Sequence, residues 1–182
     1  MTVVSDAACP SGTTGRTNIM GTQNAGAESL DVFCPDGGRS DDFVQSIEIN
    51  NCIRDGIDIF NDIAVYCASG DFYSLGSYDP ACPNSYLEDG SNVNKVTSPS
   101  GIFTISGGVQ AAEGRTVLGA LSVGGPSSSG TVTVGSSSKP CLQAFNLTSN
   151  AIVTGFNITY NPASVNDSIY SLAFFYDCQK GR

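Results

Sequence analysis

The chain has 182 residues with 40% apolar and 9% aromatic content, enough for one packed domain, which excludes general disorder. A formal net charge of −9 with only eight Lys plus Arg excludes the clustered cations that bind nucleic acid or an anionic membrane surface. Histidine is absent, which removes Ser-His-Asp and Cys-His nucleophiles and the usual zinc ligand set.

Residues 1–30 are rich in Thr, Gly, Asn and Ser and carry few large apolar groups. They read as an extended N-terminal arm, tied down if Cys9 is bonded. Leu30–Phe33 begins the first convincing strand. Phe43–Ile49 alternates, with Val44, Ser46 and Glu48 on one face and Phe43, Gln45, Ile47 and Ile49 on the other. Ile57–Phe60 and Ile63–Cys67 follow as two further strands. Residues 68–101 mix Gly, Asp, Pro, Asn and Tyr without a period and read as loops with one or two short strands.

Gly101–Ser106 alternates again, and Thr116–Val123 is an apolar strand. Gly124–Gly130 is a turn or loop, and Thr131–Val134 a short strand. Leu142–Leu147, Ile152–Tyr160 and Ile169–Tyr176 complete the set. No stretch shows a period of 3.6 with caps, so the chain is expected to be all-β, a sandwich, barrel or prism of about ten to twelve short strands. No apolar run approaches the ~18 residues of a membrane span. Met1–Ala8 lacks an apolar leader core, so if the chain is secreted its leader has been removed or is not part of this sequence.

The seven cysteines are Cys9, Cys34, Cys52, Cys67, Cys82, Cys141 and Cys178. Their wide spacing, without a CxxC pair, reads as a disulfide framework formed outside the reducing cytosol. Seven is odd, so one thiol is either free and buried or bonded to another chain. Three sequons, at Asn146, Asn157 and Asn166, mark candidate N-glycosylation sites of a secreted glycoprotein. Asp41, Asp42, Asp55, Asp58 and Asp62 do not form an EF-hand pattern and read as solvated turn acids. No metal or other cofactor is expected. Nothing selects a catalytic carboxylate pair, so the chain is not expected to be an enzyme.

Several segments, taken in order, resemble the jacalin-related lectins, a β-prism family. Cys34-Pro35-Asp36-Gly37-Gly38 and Asp41-Asp42-Phe43 are similar to its opening Gly-Gly loop and Asp-rich turn. Gln45–Ile49 resembles its next strand. Asn61–Tyr66 is similar to its "DSI-V-Y" strand, and Ile102–Gly107 with Thr116–Val123 to its paired middle strands. Val153-Thr154-Gly155-Phe156 resembles "IVGF", and Asp167-Ser168-Ile169 stands at its Asp-x-Ile before the last strand. The likeness covers residues 34–178, with a divergent loop near 70–98. Cys34–Cys67 also resembles the vitelline-membrane outer-layer family, a second β-prism group, but its Trp-Gly repeats are absent.

The resemblance implies three antiparallel Greek-key sheets over residues 31–182, following the 1–30 arm. It implies a shallow sugar pocket in which Asp167 accepts hydrogen bonds from sugar hydroxyls. Backbone amides of Val165 and Asn166 would donate, and Gly37 or Gly38 would let the backbone approach. Ala163 stands where the family carries glycine, no aromatic precedes the acid, and a glycan on Asn166 would cover the pocket. Two functions follow. One is a secreted carbohydrate-binding domain whose partners are glycans or glycoproteins. The other is a structural glycoprotein subunit of an extracellular coat, wall or filament, using the same fold without sugar binding and self-assembling through the odd cysteine or the arm.

Overall fold

A computed structural model describes residues 3–6, 9–21, 26–35, 42–54, 57–76, 95–101, 103–112, 115–124, 132–135, 142–146, 150–160 and 169–179. Every helix-or-strand element among them is a strand, and no helix long and apolar enough to cross a membrane occurs among the described residues. In chain order these are β1 (Val3–Asp6), β2 (Thr14–Arg16), β3 (Met20–Gly21), β4 (Glu28–Phe33), β5 (Val44–Arg54), β6 (Ile57–Cys67) and β7 (Phe72–Gly76). They continue with β8 (Lys95–Thr97), β9 (Thr104–Ala112), β10 (Arg115–Gly124), β11 (Val132–Gly135), β12 (Leu142–Asn146), β13 (Ala151–Tyr160) and β14 (Ile169–Cys178).

The strands form three sheets in the orders β1-β12-β9-β10-β11, β2-β14-β13-β4 and β7-β6-β5-β8, with β3 also pairing β14. Two sheets share one Greek-key plan. In the third, β5, β6 and β7 are consecutive and β8 returns beside β5; in the first, β9, β10 and β11 are consecutive and β12 returns beside β9. The second sheet has the same order built from both ends of the chain, with β13 and β14 flanked by β2 and β4. All strand pairs are antiparallel except β1 with β12, which runs parallel from Val3↔Gln143 to Asp6↔Asn146. The expected N-terminal arm thus adds strands to two of the sheets.

The inward faces of the three sheets meet in one core. Phe103, Phe156, Phe174, Met20, Ile47, Ile63, Leu118 and Leu121 are among its fully buried side chains. In β13 and β14 both faces are buried along almost the whole length, with Thr154, Asn157, Thr159, Ser171 and Asp177 as buried polar groups among the apolar ones.

Bulges account for two differences from the sequence pattern. Strict alternation puts Val44 and Ile47 on opposite faces, yet both are fully buried in the core. A register shift between Val44 and Ser46 resets the phase by one residue. Likewise Ile57–Phe60 and Ile63–Cys67 are one strand, β6. The polar Asn61-Asp62 step, which reads as a gap, sits at a second shift opposite Asn50/Asn51.

Among the described residues, two disulfides fasten this arrangement. Cys9–Cys178 spans a sequence separation of 169 and ties the arm to the end of β14. Around it the Gly12 N–H donates to the Cys178 carbonyl (2.6 Å), the Cys178 N–H to the Thr13 carbonyl (2.8 Å), and Asn150 Nδ2 to the Cys9 carbonyl (2.9 Å). Cys34–Cys67, with a separation of 33, joins the end of β4 to the end of β6 and so links the second sheet to the third. Cys52 lies in β5, and Cys82 and Cys141 fall outside the described residues. Seven cysteines less the four in these bonds leave three, so at least one has no partner within the chain.

A cross-link restricts the unfolded chain more when it closes a longer loop. Replacing Cys9 and Cys178 together by Ala is expected to lower stability by roughly 5 kcal/mol, and replacing Cys34 and Cys67 by roughly 4 kcal/mol, on the chain-entropy relation. Urea unfolding of the two double variants checks both the losses and their order.

Candidate functional site

The second sheet has two ends, and the register assigns each connection to one of them. β13 pairs with β4 from Gly155↔Phe33 to Tyr160↔Glu28. Beyond Phe33, the Cys34 N–H donates to the Thr154 carbonyl (3.0 Å), and the chain then enters 36–41. Segment 161–168 is entered from Tyr160 and left at Ile169, at the Glu28 end. Along β13 the two ends are about 17 Å apart, at ~3.4 Å per residue. Gly37, Gly38, Val165, Asn166 and Asp167 all lie outside the described residues. Their flanks are described, and those flanks stand at opposite ends of the sheet rather than around one pocket.

Another glycine-bearing connection shares the end that holds 161–168. β3 pairs Gly21 with Ser171, and β4 begins at Glu28 opposite Tyr160. Between them stand two glycines in the left-handed region, Gly21 (φ 99°) and Gly26 (φ 80°). At Gly21 a Cβ would run into the Tyr170 carbonyl oxygen and the Ser171 Cα, so backbone lies directly on backbone. At Gly26 a Cβ would meet nothing within 4 Å. Turn glycines in a Thr-, Asn- and Gly-rich arm carry no distinguishing sequence signal, which is why the pattern points to Gly37 and Gly38 instead.

The described rim at this end is polar. The Tyr160 hydroxyl donates to Glu28 Oε2 (3.0 Å) on the exposed side. Below it the Thr159 and Ser171 hydroxyls share a buried 2.6 Å hydrogen bond. Ile169 and Tyr170 are buried. The exposed Tyr160–Glu28 pair presents a hydroxyl and a carboxylate, groups that can bond a hydroxyl-rich ligand.

The sequons fare differently. Asn166 is outside the described residues, and Asn146 ends β12 opposite Asp6 and Thr104. Asn157 is 3% exposed. Its Nδ2 donates to Ser29 Oγ (2.8 Å) and Asp31 Oδ1 (2.6 Å), and its Oδ1 accepts from the Arg16 guanidinium. The nitrogen a glycan would occupy is thus enclosed and committed to bonds that hold β4 against β13. The three-residue motif reports none of this.

Two further acids are buried. Asp42 accepts from the Ser69 N–H (3.0 Å) and the Ser69 hydroxyl (2.8 Å), so it caps the turn after β6. Its carboxylate and the sulfurs of Cys34 and Cys67 lie within 4.8 Å of one another. Those sulfurs are bonded to each other, so the trio is a capped turn beside a disulfide. Asp177, near the far end of β14, is 8% exposed, and burial pushes its carboxyl pKa above the ordinary value of 3.8.

No protein-family model matches this sequence, and no curated protein matches it significantly. Solved structures do match, and they define the architecture as a β-prism. Wild-type Malaysian banana lectin superimposes over 92% of this chain and 100% of its own, with 13% identity and a TM-score of 0.58. A mannose-binding jacalin-related lectin from Ananas comosus does so over 91% and 98%, with 9% identity and a TM-score of 0.57. The V. cholerae biofilm matrix protein Bap1 matches over 91% of this chain with 9% identity and a TM-score of 0.53, and there the chain spans only 24% of the other protein. The fold is therefore that of the jacalin-related lectins.

Two outcomes follow from the buried polar groups. When the protein is made in a glycosylating secretory host, peptide mapping is expected to find Asn157 unmodified. Asn157→Ala is expected to cost roughly 1–3 kcal/mol by removing its hydrogen bonds to the charged Arg16 and Asp31. For Asp177 the folded protein holds the carboxyl proton more tightly than the unfolded chain does. Its contribution therefore falls as pH rises from 3.8 through the raised value. Asp177→Asn is expected to stabilise the protein at neutral pH, with the gain vanishing under acid below the unfolded-state value; thermal melts across pH check the sign.

Proposed function

We propose that this chain is an extracellular carbohydrate-binding domain that takes a sugar of a glycan or glycoprotein at the Glu28–Tyr160–Ile169 end of the second sheet. Asp167 accepts hydrogen bonds from neighbouring sugar hydroxyls, and the Val165 and Asn166 amides donate to the same ring. The turn at Gly26 takes the backbone-approach role first given to Gly37 and Gly38. One observation carries the placement: the register brings the Gly21–Glu28 connection and both flanks of 161–168 to the same sheet end. The Tyr160–Glu28 hydrogen bond supplies a polar rim beside it. Two disulfides support an oxidising, extracytoplasmic setting. The domain binds without catalysing a reaction, and neither nucleic acid nor membrane insertion enters the reading.

A second reading is a structural subunit of an extracellular coat, wall or filament. The odd set of cysteines outside the two bonds favours it, because an odd set leaves a sulfur for another chain. A biofilm matrix protein carries the same fold within a longer chain. Ala163 in place of the family glycine and the sequon at Asn166 favour it too.

A glycan array separates the two. Specific binding by the wild type that Asp167→Ala reduces at least about ten-fold, the effect of losing one charge-assisted contact, supports the lectin. An array without signal, together with a ladder on non-reducing gels that collapses under reductant, supports the structural subunit. Binding unchanged in Asp167→Ala overturns the placement of the site.

A further inference from the structure

The far end of the same sheet carries a different arrangement. Phe33 on β4, Gly155 on β13, Phe175 on β14 and Arg16 on β2 are successive cross-strand partners. Gly155 has no side chain, so the rings of Phe33 and Phe175 close over it, with centroids 4.6 Å apart and planes at 31°. A Cβ at Gly155 would stand 3.0 Å from Phe33 Cδ1 and closer still to the Val32 carbonyl. The Arg16 guanidinium lies 5.6 Å from the Phe175 centroid and donates to Asn157. Two residues along, Asp31 stands opposite Asn157 and accepts from it through Oδ1.

This row is open to solvent. Phe33 is 39% exposed, and Asp31 and Arg16 are exposed on either side of it. The ledge has an apolar face about one ring wide, bounded by an ionised acceptor on β4 and an ionised donor on β2. A protein partner would have to desolvate both ions for little apolar gain. A sugar ring has the opposite balance. Its C–H face is apolar, and its rim hydroxyls replace water at Asp31 and Arg16 bond for bond.

We propose that this row is a second saccharide contact, in which Phe33 takes the C–H face of a neutral hexose unit of a polysaccharide while Asp31 and Arg16 bond its hydroxyls. The ligand is neutral because Asp31 and Arg16 offset each other at the ledge and the chain as a whole carries a net charge of −9, which disfavours an acidic polymer. The inference rests on the lectin reading but not on its site. The ledge stands about 17 Å along β13 from the 161–168 end, so the two contacts engage different units of one chain. Linking them raises retention on polymers well above that on single sugars.

The test is affinity electrophoresis of the non-reduced protein through native gels containing soluble mannan, xylan or β-glucan, with alginate as the acidic comparison. At least one neutral polymer is expected to retard the wild type more strongly than alginate does. Phe33→Ala is expected to weaken that retardation roughly five- to ten-fold. Phe33→Trp preserves it, and Asp31→Asn and Arg16→Gln each weaken it. Thermal melts show whether Phe33→Ala is folded, and Arg16→Gln tests the ledge while keeping the aromatic pair. Retardation equal in wild type, Phe33→Ala and Arg16→Gln overturns the proposal, as does a wild type retarded by no neutral polymer or held chiefly by alginate. If Asp167→Ala abolishes array binding while the Phe33 and Arg16 variants change nothing, the loop site stands and the ledge falls. If the array is silent but a neutral polymer is held in a Phe33-dependent way, the ledge stands and the loop site falls.

Discussion

The second sheet depends on bringing the two ends of the chain together. β13 and β14 supply its centre, and β2, β3 and β4 complete it from the other end of the sequence. Ordering such distant segments costs loop-closure entropy that only cooperative pairing and burial offset. Burial is the larger contribution. Phe156, Ile158, Leu172 and Phe174 fill the core from β13 and β14, and Met20 enters it from β3. The Cys9–Cys178 bond and the hydrogen bonds around it then keep the arm from fraying off the edge.

The strongest elements were legible because their physics is local. β13 and β14 are rich in apolar residues and buried on both faces, and β9 and β10 pair through neighbouring segments. β6 was read as two strands because a bulge leaves no mark on composition. β1, β2 and β3 were invisible for another reason. They are two to four residues long, and their pairing is long-range, so nothing in their own residues predicts it. Disulfide connectivity is likewise a property of the fold, since six paired cysteines alone allow 15 arrangements.

The candidate site was half legible. Segment 161–168 follows from the strand on either side of it, and both strands were recognised. Its glycine-bearing companion is not, because Gly21 and Gly26 resemble every other turn glycine in the arm until the register sets Gly21 against Tyr170 and Ser171 and brings Gly26 two residues before the Glu28–Tyr160 pair. Asn157 shows the converse. Its sequon is plain in the sequence, but three dimensions turn the residue into the hydrogen-bonding hinge between Arg16, Ser29 and Asp31. Structural likeness at 9–13% identity establishes the prism and leaves the ligand to this chain's own side chains.

The Cys9 and Cys178 Cα atoms are 5.3 Å apart. The bridge closes residues 9–178 into one covalent ring, while β1 lies outside it, paired in parallel with β12. Traction applied across Cys9 and Cys178 therefore loads sulfur and bypasses the sheets, whereas traction on Val3–Asp6 loads the edge of the first sheet.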